Sequence, residues 1–394
     1  MGPQEQRDRS MKLFECQACG QPLYFENSRC ESCGRRLGCL PSIQDISALE
    51  PTEEGDWKAL ALPGTSFRFC ANARYEACNW LIPEDDANPY CRACRHNRTV
   101  PDLSIEQNLV RWRSLETAKR RLFYTLLKLD LPLATRAEDP QGLAFDFLAD
   151  PAENSPEGPS ILTGHDNGLI TINIAEADDA ERERRRHSMG EPYRTLLGHF
   201  RHEVGHYFWN VLVRNDPSLE SFRRIFGDER QDYGEALKAH YAQGPKENWQ
   251  EEFVSSYAAS HPWEDFAETW AHYLHIVDTL ETAHAFGLTV RPRIGRGPEL
   301  AAQIDFDPHR ETDLNRLVTA WLPLTFAVNS LNRSMGQPDL YPFVLAPAVI
   351  AKLAFIHERI HSWSGRGQGE ADGCHVLKAV IGGLNSRIGA PHSA

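Results

Sequence analysis

The chain has 394 residues, of which 41% are hydrophobic and 25% are charged, as in an ordinary globular protein. That length exceeds what one hydrophobic core usually serves, so we expect at least two folding units, and the net charge of −13 argues against a nucleic-acid partner. No apolar run approaches the roughly 18 residues of a membrane span and no signal peptide is evident, so we expect a cytoplasmic protein without membrane contact.

The first recognisable element is a pair of C-x2-C knuckles within residues 11–40. Its predicted ligands are Cys16, Cys19, Cys30 and Cys33. Each knuckle points two thiolates at one ion, and two knuckles complete a tetrahedral sulfur site. We therefore predict a zinc ribbon, because so short a segment cannot bury a sufficient core without a metal. Cys39 follows closely, and we interpret it as a spare thiol that could substitute as a ligand.

Residues 41–66 mix prolines, glycines and acids, which predicts a linker.

A second cysteine group follows in residues 67–100. Its members are Cys70, Cys78, Cys91 and Cys94. Only one C-x2-C pair is present, so buried free thiols are the alternative, but free cysteines rarely cluster in this way and we favour a second structural zinc site.

The charge of the ribbon region bears on its partners. The first 50 residues contain six Lys and Arg against seven Asp and Glu, so no basic stripe is available for phosphates. We therefore expect this region to contact a protein partner or to be purely structural.

A long helix is predicted next, because apolar residues recur at helical spacing from Ile105 to Leu129. Ser104 and Gln107 match the S-x-x-Q capping box, which would bond the first backbone N–H groups of that helix. The helix is therefore expected to begin just after Ser104.

Two strand patterns follow the helix. Residues 142–150 alternate large apolar side chains with smaller or polar ones. Asn167 and Gly168 form a hairpin turn signal, after which isoleucines alternate with Thr171 and Asn173. This second strand precedes a histidine-rich helix, and we expect that its free edge could pair with an extended substrate.

The histidine-rich segment is LLGHFRHEVGHYFW, residues 196–209. His202 and His206 are four apart and so lie on one helical face, where they can hold one ion. Glu203 is rotated roughly 100° from His202, beside the ion and within reach of a metal-bound water. This H-E-x-x-H arrangement is that of zinc proteases, although an amphipathic helix that happens to carry histidines is the alternative. Pro192 suits the first turn of the helix.

A zinc hydrolase needs a third protein ligand and an open position for water. Glu264 and Glu268 lie four apart on one face of a second predicted helix, which begins at Pro262. We predict that Glu264 completes a site of two histidines and one glutamate and that Glu268 accepts a hydrogen bond from a ligand histidine. His272 and His275 lie on nearly the same face and are rival ligands, and two ordinary solvated glutamates are the alternative interpretation.

The H-E-x-x-H motif followed by E-x-x-A-E resembles the gluzincin-type metallopeptidases. In that family the first glutamate of the second motif binds zinc, and a tyrosine seven residues before it assists. Tyr257 occupies that position here. Over about residues 11–360 the chain also resembles a bacterial family of zinc-binding metallopeptidases with an N-terminal zinc ribbon. The resemblance implies an α+β fold: a mainly helical, zincin-like domain over residues 101–394 with a small antiparallel sheet, preceded by two small modules that each carry four cysteine ligands.

These features predict a zinc-dependent endopeptidase acting on a peptide or protein substrate. Zinc would activate a water, Glu203 would act as general base and Tyr257 would hydrogen-bond the developing oxyanion. One catalytic and two structural zinc ions are expected. The alternatives are a non-catalytic zinc-binding scaffold that recruits a partner and a metal hydrolase acting on a non-peptide amide. We expect the C-terminal third of the chain to form helices that pack against the catalytic domain. Cys374, in this part of the chain, is an isolated thiol.

Overall fold

A computed structural model describes residues 13–150, 161–189, 195–293 and 300–364. Within these ranges the chain combines long helices with short strands and carries two cysteine clusters near its N-terminus, so the predicted α+β class is confirmed. Pro192 and Cys374 lie outside the described residues. No helix in the described part of the chain is both long and apolar enough to cross a membrane.

The N-terminal region is built from two antiparallel sheets. A hairpin pairs β1 (Phe14–Glu15) with β2 (Pro22–Leu23). A five-stranded sheet follows in chain order. Its strands are β3 (Leu37–Leu40), β4 (Asp45–Pro51), β5 (Trp57–Ala59), β6 (Ser66–Phe69) and β7 (Leu81–Pro83). An isolated parallel bridge joins Cys39 to Trp80, beside β7.

The predicted linker over residues 41–66 is wrong, because that segment forms β4 and β5 within the five-stranded sheet. The acidic and glycine residues that suggested a linker lie mostly in the turn between these strands, where Gly55 adopts a φ of 95°. Each strand nevertheless carries buried apolar side chains, and Leu49 of β4 and Ala59 of β5 pack in a buried cluster with Phe67. Burial of these side chains makes the segment part of a core.

A second sheet is mixed. It contains β8 (Asn97–Thr99), β9 (Ala144–Leu148), β10 (Gly164–Asp166) and β11 (Leu169–Asn173), in the order β10-β11-β9-β8. The predicted hairpin is confirmed, with positive φ at Asn167 and Gly168. However, β9 pairs in parallel with both β11 and β8, so within this sheet the expected antiparallel pairing holds for the hairpin alone. Helix α1 (Glu106–Lys128) connects β8 to β9, and such a crossover makes two strands parallel.

Two further expectations about this region are wrong. Strand β11 has no free edge, because it is paired on one side with β10 and on the other with β9. The capping box does not form either: the backbone N–H and hydroxyl of Ser104 both donate to Asp102, at 2.9 and 2.7 Å. The Asp102 side chain competes for Ser104, and α1 begins at Glu106 after an N-cap without a side-chain hydrogen bond.

The remaining elements are mostly helices. They are α2 (Asp179–Met189), α3 (Leu196–Leu212), α4 (Leu219–Phe226), α5 (Tyr233–Gln243), α6 (Pro262–Ala285), α7 (Leu314–Ser334) and α8 (Pro347–Ser364). A two-stranded antiparallel pair, β12 (Thr289–Val290) and β13 (Ala302–Gln303), lies between α6 and α7. Pro262 is the first residue of α6, as predicted.

The chain divides into two compact units. One comprises the described parts of residues 1–200, 278–288 and 304–309, and the other those of residues 201–277, 289–303 and 310–394. Phenylalanines centred on Phe145 form a core in the first unit, and Phe208 stacks on Trp270 at 4.8 Å in the second. Apart from the linker, the predicted modules over residues 11–40, 67–100 and 101–394 remain a prediction.

Candidate metal centres and active site

Helix α3 places His202 and His206 one turn apart, with their ring centroids 5.0 Å from each other. Gly205 lies between them in sequence and faces α6. A Cβ added to Gly205 would come within 2.9 Å of the Ala267 Cα, so the glycine lets the two helices approach closely. This approach brings the side chains at the start of α6 to the histidine pair.

Glu264, one turn before Ala267 on α6, reaches both histidines. Its Oε2 lies 3.0 Å from Nε2 of His202 and 3.6 Å from Nε2 of His206. One ligand atom from each of the three residues lies within 4.8 Å of the other two. The structure therefore brings together the three residues predicted as ligands of a catalytic metal.

The donor set fits a metal ion. Glu264 is 1% exposed, and within the described residues its Oε2 accepts no hydrogen bond, since the 3.0 Å contact with His202 lacks hydrogen-bond geometry. A buried carboxylate oxygen without such a partner is costly, and a cation between it and two imidazole nitrogens would remove the cost. Two histidines and one carboxylate are a ligand set of catalytic zinc.

The electrostatics of the site favour a positive charge at its centre. Burial lowers the pKa of His202, but Glu264 and Glu268 outweigh it and hold that pKa well above its ordinary value. Burial raises the pKa of Glu264, but His206 and His202 outweigh it and hold that pKa well below its usual range. A divalent cation would place positive charge beside the same carboxylates.

Side chains that are not themselves predicted ligands hold two of the three ligand residues in place. Glu268 Oε1 lies 2.7 Å from Nδ1 of His202, as predicted for a residue that orients the ring, and Ser255 donates to Glu268 Oε2 at 2.6 Å. The hydroxyl of Tyr233 donates to Glu264 Oε1, also at 2.6 Å. Ser255 and Tyr233 were not predicted. Neither lies at a helical spacing from its partner, so no sequence pattern connects them.

The two residues predicted to act on substrate lie beside the ligands. Glu203 is buried, with 5% of its surface exposed, and directly follows His202 on α3. The ring centroid of Tyr257 lies 5.9 Å from that of His202. Burial and the charge of Glu264 raise the pKa of Tyr257, so its hydroxyl stays protonated and can donate a hydrogen bond.

The rival ligands have other partners. His272 Nδ1 lies 2.6 Å from the hydroxyl of Tyr341, and His275 Nδ1 lies 2.6 Å from a guanidinium nitrogen of Arg201. Neither histidine belongs to the ligand cluster found among the described residues.

Both cysteine quartets form compact groups of free thiols. In the first, Cys16 and Cys33 have sulfurs 3.7 Å apart, and Cys19 and Cys30 have theirs 3.6 Å apart. The second comprises Cys70, Cys78, Cys91 and Cys94, all of them buried. Within each quartet the four sulfurs lie within 4.8 Å of one another, which suits tetrahedral sulfur ligation of zinc. Cys39 is buried in β3 and belongs to neither group.

A further cluster, not predicted from the sequence, contains Asp278, Glu281 and His309, and we call it the Asp278 cluster. Lys128 donates to Glu281 at 2.5 Å, and Thr125 donates to both carboxylate oxygens of Asp278 at 2.9 Å. Lys128 and protonated His309 supply two positive charges for the two carboxylates, so we interpret the cluster as a buried ion-pair network.

Comparisons with known proteins match the chain to zinc-binding families. A family model described as "Putative zinc-binding metallo-peptidase" matches residues 108–359, and a zinc-ribbon domain model matches residues 13–105. An uncharacterized protein of Mycobacterium bovis and two of Mycobacterium tuberculosis are each 43% identical to the chain over 349 residues. Those matches cover 88% of this chain and 94% of each relative. No solved structure matches the chain.

Proposed function

This chain belongs to the zinc-binding metallo-peptidase family matched over residues 108–359, and from that premise we propose that it is a zinc-dependent endopeptidase. The observation that carries the proposal is the buried Oε2 of Glu264, which faces two imidazole nitrogens and accepts no hydrogen bond from the described residues, while Glu203 lies one residue from His202. His202, His206 and Glu264 would hold the ion in the gluzincin manner. When bound, zinc supplies Lewis acidity, which polarises a substrate carbonyl and eases deprotonation of water.

The side chains around the proposed metal site have separate roles in the reaction. Glu203 takes a proton from the attacking water as general base and returns it to the departing amine. Tyr257 donates a hydrogen bond to the oxygen on which negative charge develops. Glu268 keeps the Nδ1 proton of His202 in place, so the ring presents the lone pair of Nε2 to the ion.

We further propose three zinc ions per chain, one at the histidine site and one at each cysteine quartet. The substrate is a peptide or protein, and the zinc ribbon over residues 11–40 contacts a protein partner. Metal analysis of the purified chain should give three equivalents of zinc, and replacing His202 and His206 together by alanine should leave two. Four equivalents in the unaltered chain would contradict the assignment of the Asp278 cluster as an ion-pair network.

The reaction is tested with Glu203→Gln, which preserves shape and removes the base. We expect zinc content to stay the same and cleavage of a peptide library to fall by about two to four orders of magnitude. Glu251→Gln, at an exposed glutamate, serves as the matched control and should cleave like the unaltered protein. Undiminished cleavage by the Glu203 variant, or cleavage that survives a chelator, would show that this site does not perform the reaction.

A further inference from the structure

Tyr233 is the first residue of α5, a helix with no buried residue. Its ring nevertheless packs edge-on against His261, with centroids 5.2 Å apart, and at a tilt against Trp263, with centroids 6.1 Å apart. Asp232 caps the helix by accepting a hydrogen bond from the backbone N–H of Glu235 at 2.9 Å. Tyr233 is therefore held at a fixed point, the start of a capped helix, beside the first turn of α6.

The hydrogen bond from Tyr233 gives the two carboxylate oxygens of Glu264 different surroundings. Oε1 accepts from the tyrosine hydroxyl at 2.6 Å, while Oε2 faces the two histidines and accepts no hydrogen bond from the described residues. The terminal torsion of a glutamate is otherwise soft, so an unrestrained carboxylate could turn either oxygen, or both, toward an ion. Turning it here would break a part-buried hydrogen bond to a charged acceptor, which belongs to the stronger class of hydrogen bonds in proteins.

We propose that Tyr233 is a positioning residue that presents Glu264 to the metal through a single oxygen. The inference rests on the proposed metal site and assigns a residue to it that neither the motif nor the family match identifies. One-oxygen ligation leaves one coordination position open for water, as hydrolytic zinc requires. Loss of the hydroxyl would let the carboxylate bind through both oxygens or turn away.

The test is Tyr233→Phe, which keeps the ring contacts and removes only the hydroxyl. The chain is treated with a mild chelator so that the cysteine quartets keep their zinc, and metal is then added back to the histidine site. We expect zinc affinity there, measured by competition, to fall about 10- to 100-fold. Cobalt added at the same site should give a d–d spectrum altered from that of the unaltered protein. Tyr24→Phe, at a tyrosine 60% exposed, is the control and should change neither quantity.

A second comparison separates positioning from a general role in folding. In a Glu264→Ala background, Tyr233→Phe should cause no further loss of zinc affinity and no lower melting temperature, because the hydroxyl acts through the carboxylate. Unchanged affinity and spectrum in Tyr233→Phe, or an equal further loss in the alanine background, would overturn the inference. These readouts do not depend on turnover. A chain that binds zinc in this way but cleaves no peptide would end the proposed function and leave the role of Tyr233 standing.

Discussion

Glu268 contacts the ring nitrogen of His202 that does not face Glu264: its Oε1 lies 2.7 Å from Nδ1, while Ser255 donates to its Oε2 at 2.6 Å. Both carboxylate oxygens are thus engaged, and the imidazole is fixed in rotation and tautomer. In addition, the hydrogen bond from His202 and its charge outweigh burial and lower the pKa of Glu268 to about 2, so the acceptor stays ionised.

Glu268→Gln should therefore weaken zinc binding at the histidine site by about 10- to 100-fold, because the amide can no longer accept from Nδ1 with a full charge. Ser255→Ala, which removes only the support behind Glu268, should cause a smaller loss. Competition titration with a chelator of known affinity measures both. Equal affinities in the unaltered chain and in Glu268→Gln would mean that the orientation of the ring does not limit metal binding.

The glycine of the H-E-V-G-H motif sets the spacing of the helices that carry the ligands. Gly205→Ala would place a Cβ 2.9 Å from the Ala267 Cα, a backbone atom that cannot move alone. We expect a loss of about 1–3 kcal/mol in the free energy of unfolding from overpacking. Zinc affinity should fall as well, because Glu264 lies one turn from Ala267.

Gly234→Ala is the matched control for Gly205→Ala, since its added Cβ would meet only Asp232 Oδ1, at 3.5 Å. Alanine there should be neutral or stabilising by up to about 1 kcal/mol, in line with helix propensity. If Gly205→Ala is as stable as Gly234→Ala and binds zinc normally, the close helix contact does not position the ligands.

The parts of the fold that the sequence predicted are those specified by local patterns. Asn167 and Gly168 identify the hairpin because a two-residue turn with positive φ favours these residues. The four-residue spacing of His202 and His206 is likewise a local property of a helix. Pro262 indicates the start of α6 because proline suits the first position of a helix.

What the sequence could not predict depends on contacts between distant segments. Tyr233 and Glu264 are 31 residues apart, and no periodicity links them. The strand order that places β11 between β10 and β9 depends on the α1 crossover from β8, which hydrophobic alternation does not encode. The linker prediction failed for a related reason: acids in a tight turn outweighed the few apolar side chains of the short strands on each side, which are buried only once the sheet forms.

The second cysteine quartet adjoins a fully buried ion pair on α1. Glu116 and Lys119 have completely buried side chains and lie 2.7 Å apart, and the Cys94 sulfur lies 3.5 Å from Glu116. Burial raises the pKa of Glu116 to about 7 despite the opposing charge of Lys119. Lys119→Met would leave this acid beside the thiolates without its cation, so we expect a loss of about 3–5 kcal/mol in the free energy of unfolding.

Urea unfolding of the zinc-loaded protein measures that loss, and Glu116→Gln combined with Lys119→Met should recover much of it because no buried charge is then unpaired. Lys58→Met, at an exposed lysine of β5, is the control and should change stability little. A Lys119 variant as stable as the Lys58 variant would show that the quartet does not need the buried cation.

His309 should make the stability of the chain depend on pH. Burial lowers its pKa, but Asp278, at 3.2 Å, together with Asp307 and Glu281, outweighs burial and raises that pKa to about 9. An unfolded histidine titrates near pH 6.5, so the stabilisation from protonated His309 is complete below about pH 6.5 and is lost as the pH rises toward 9. Its full size is on the order of 3 kcal/mol, since one pKa unit corresponds to about 1.4 kcal/mol.

Asp307→Asn removes one of the charges that hold the proton on His309, while its amide oxygen can still accept the backbone N–H of that residue. The variant should be less stable than the unaltered chain at pH 6, and the difference in the free energy of unfolding should shrink as the pH approaches 9. Glu54→Gln makes the same charge change at an exposed site and should give a small difference that does not vary with pH. A difference for Asp307→Asn that is constant between pH 6 and 9 would mean that His309 is neutral in the folded protein, and the Asp278 cluster would then carry an uncompensated negative charge.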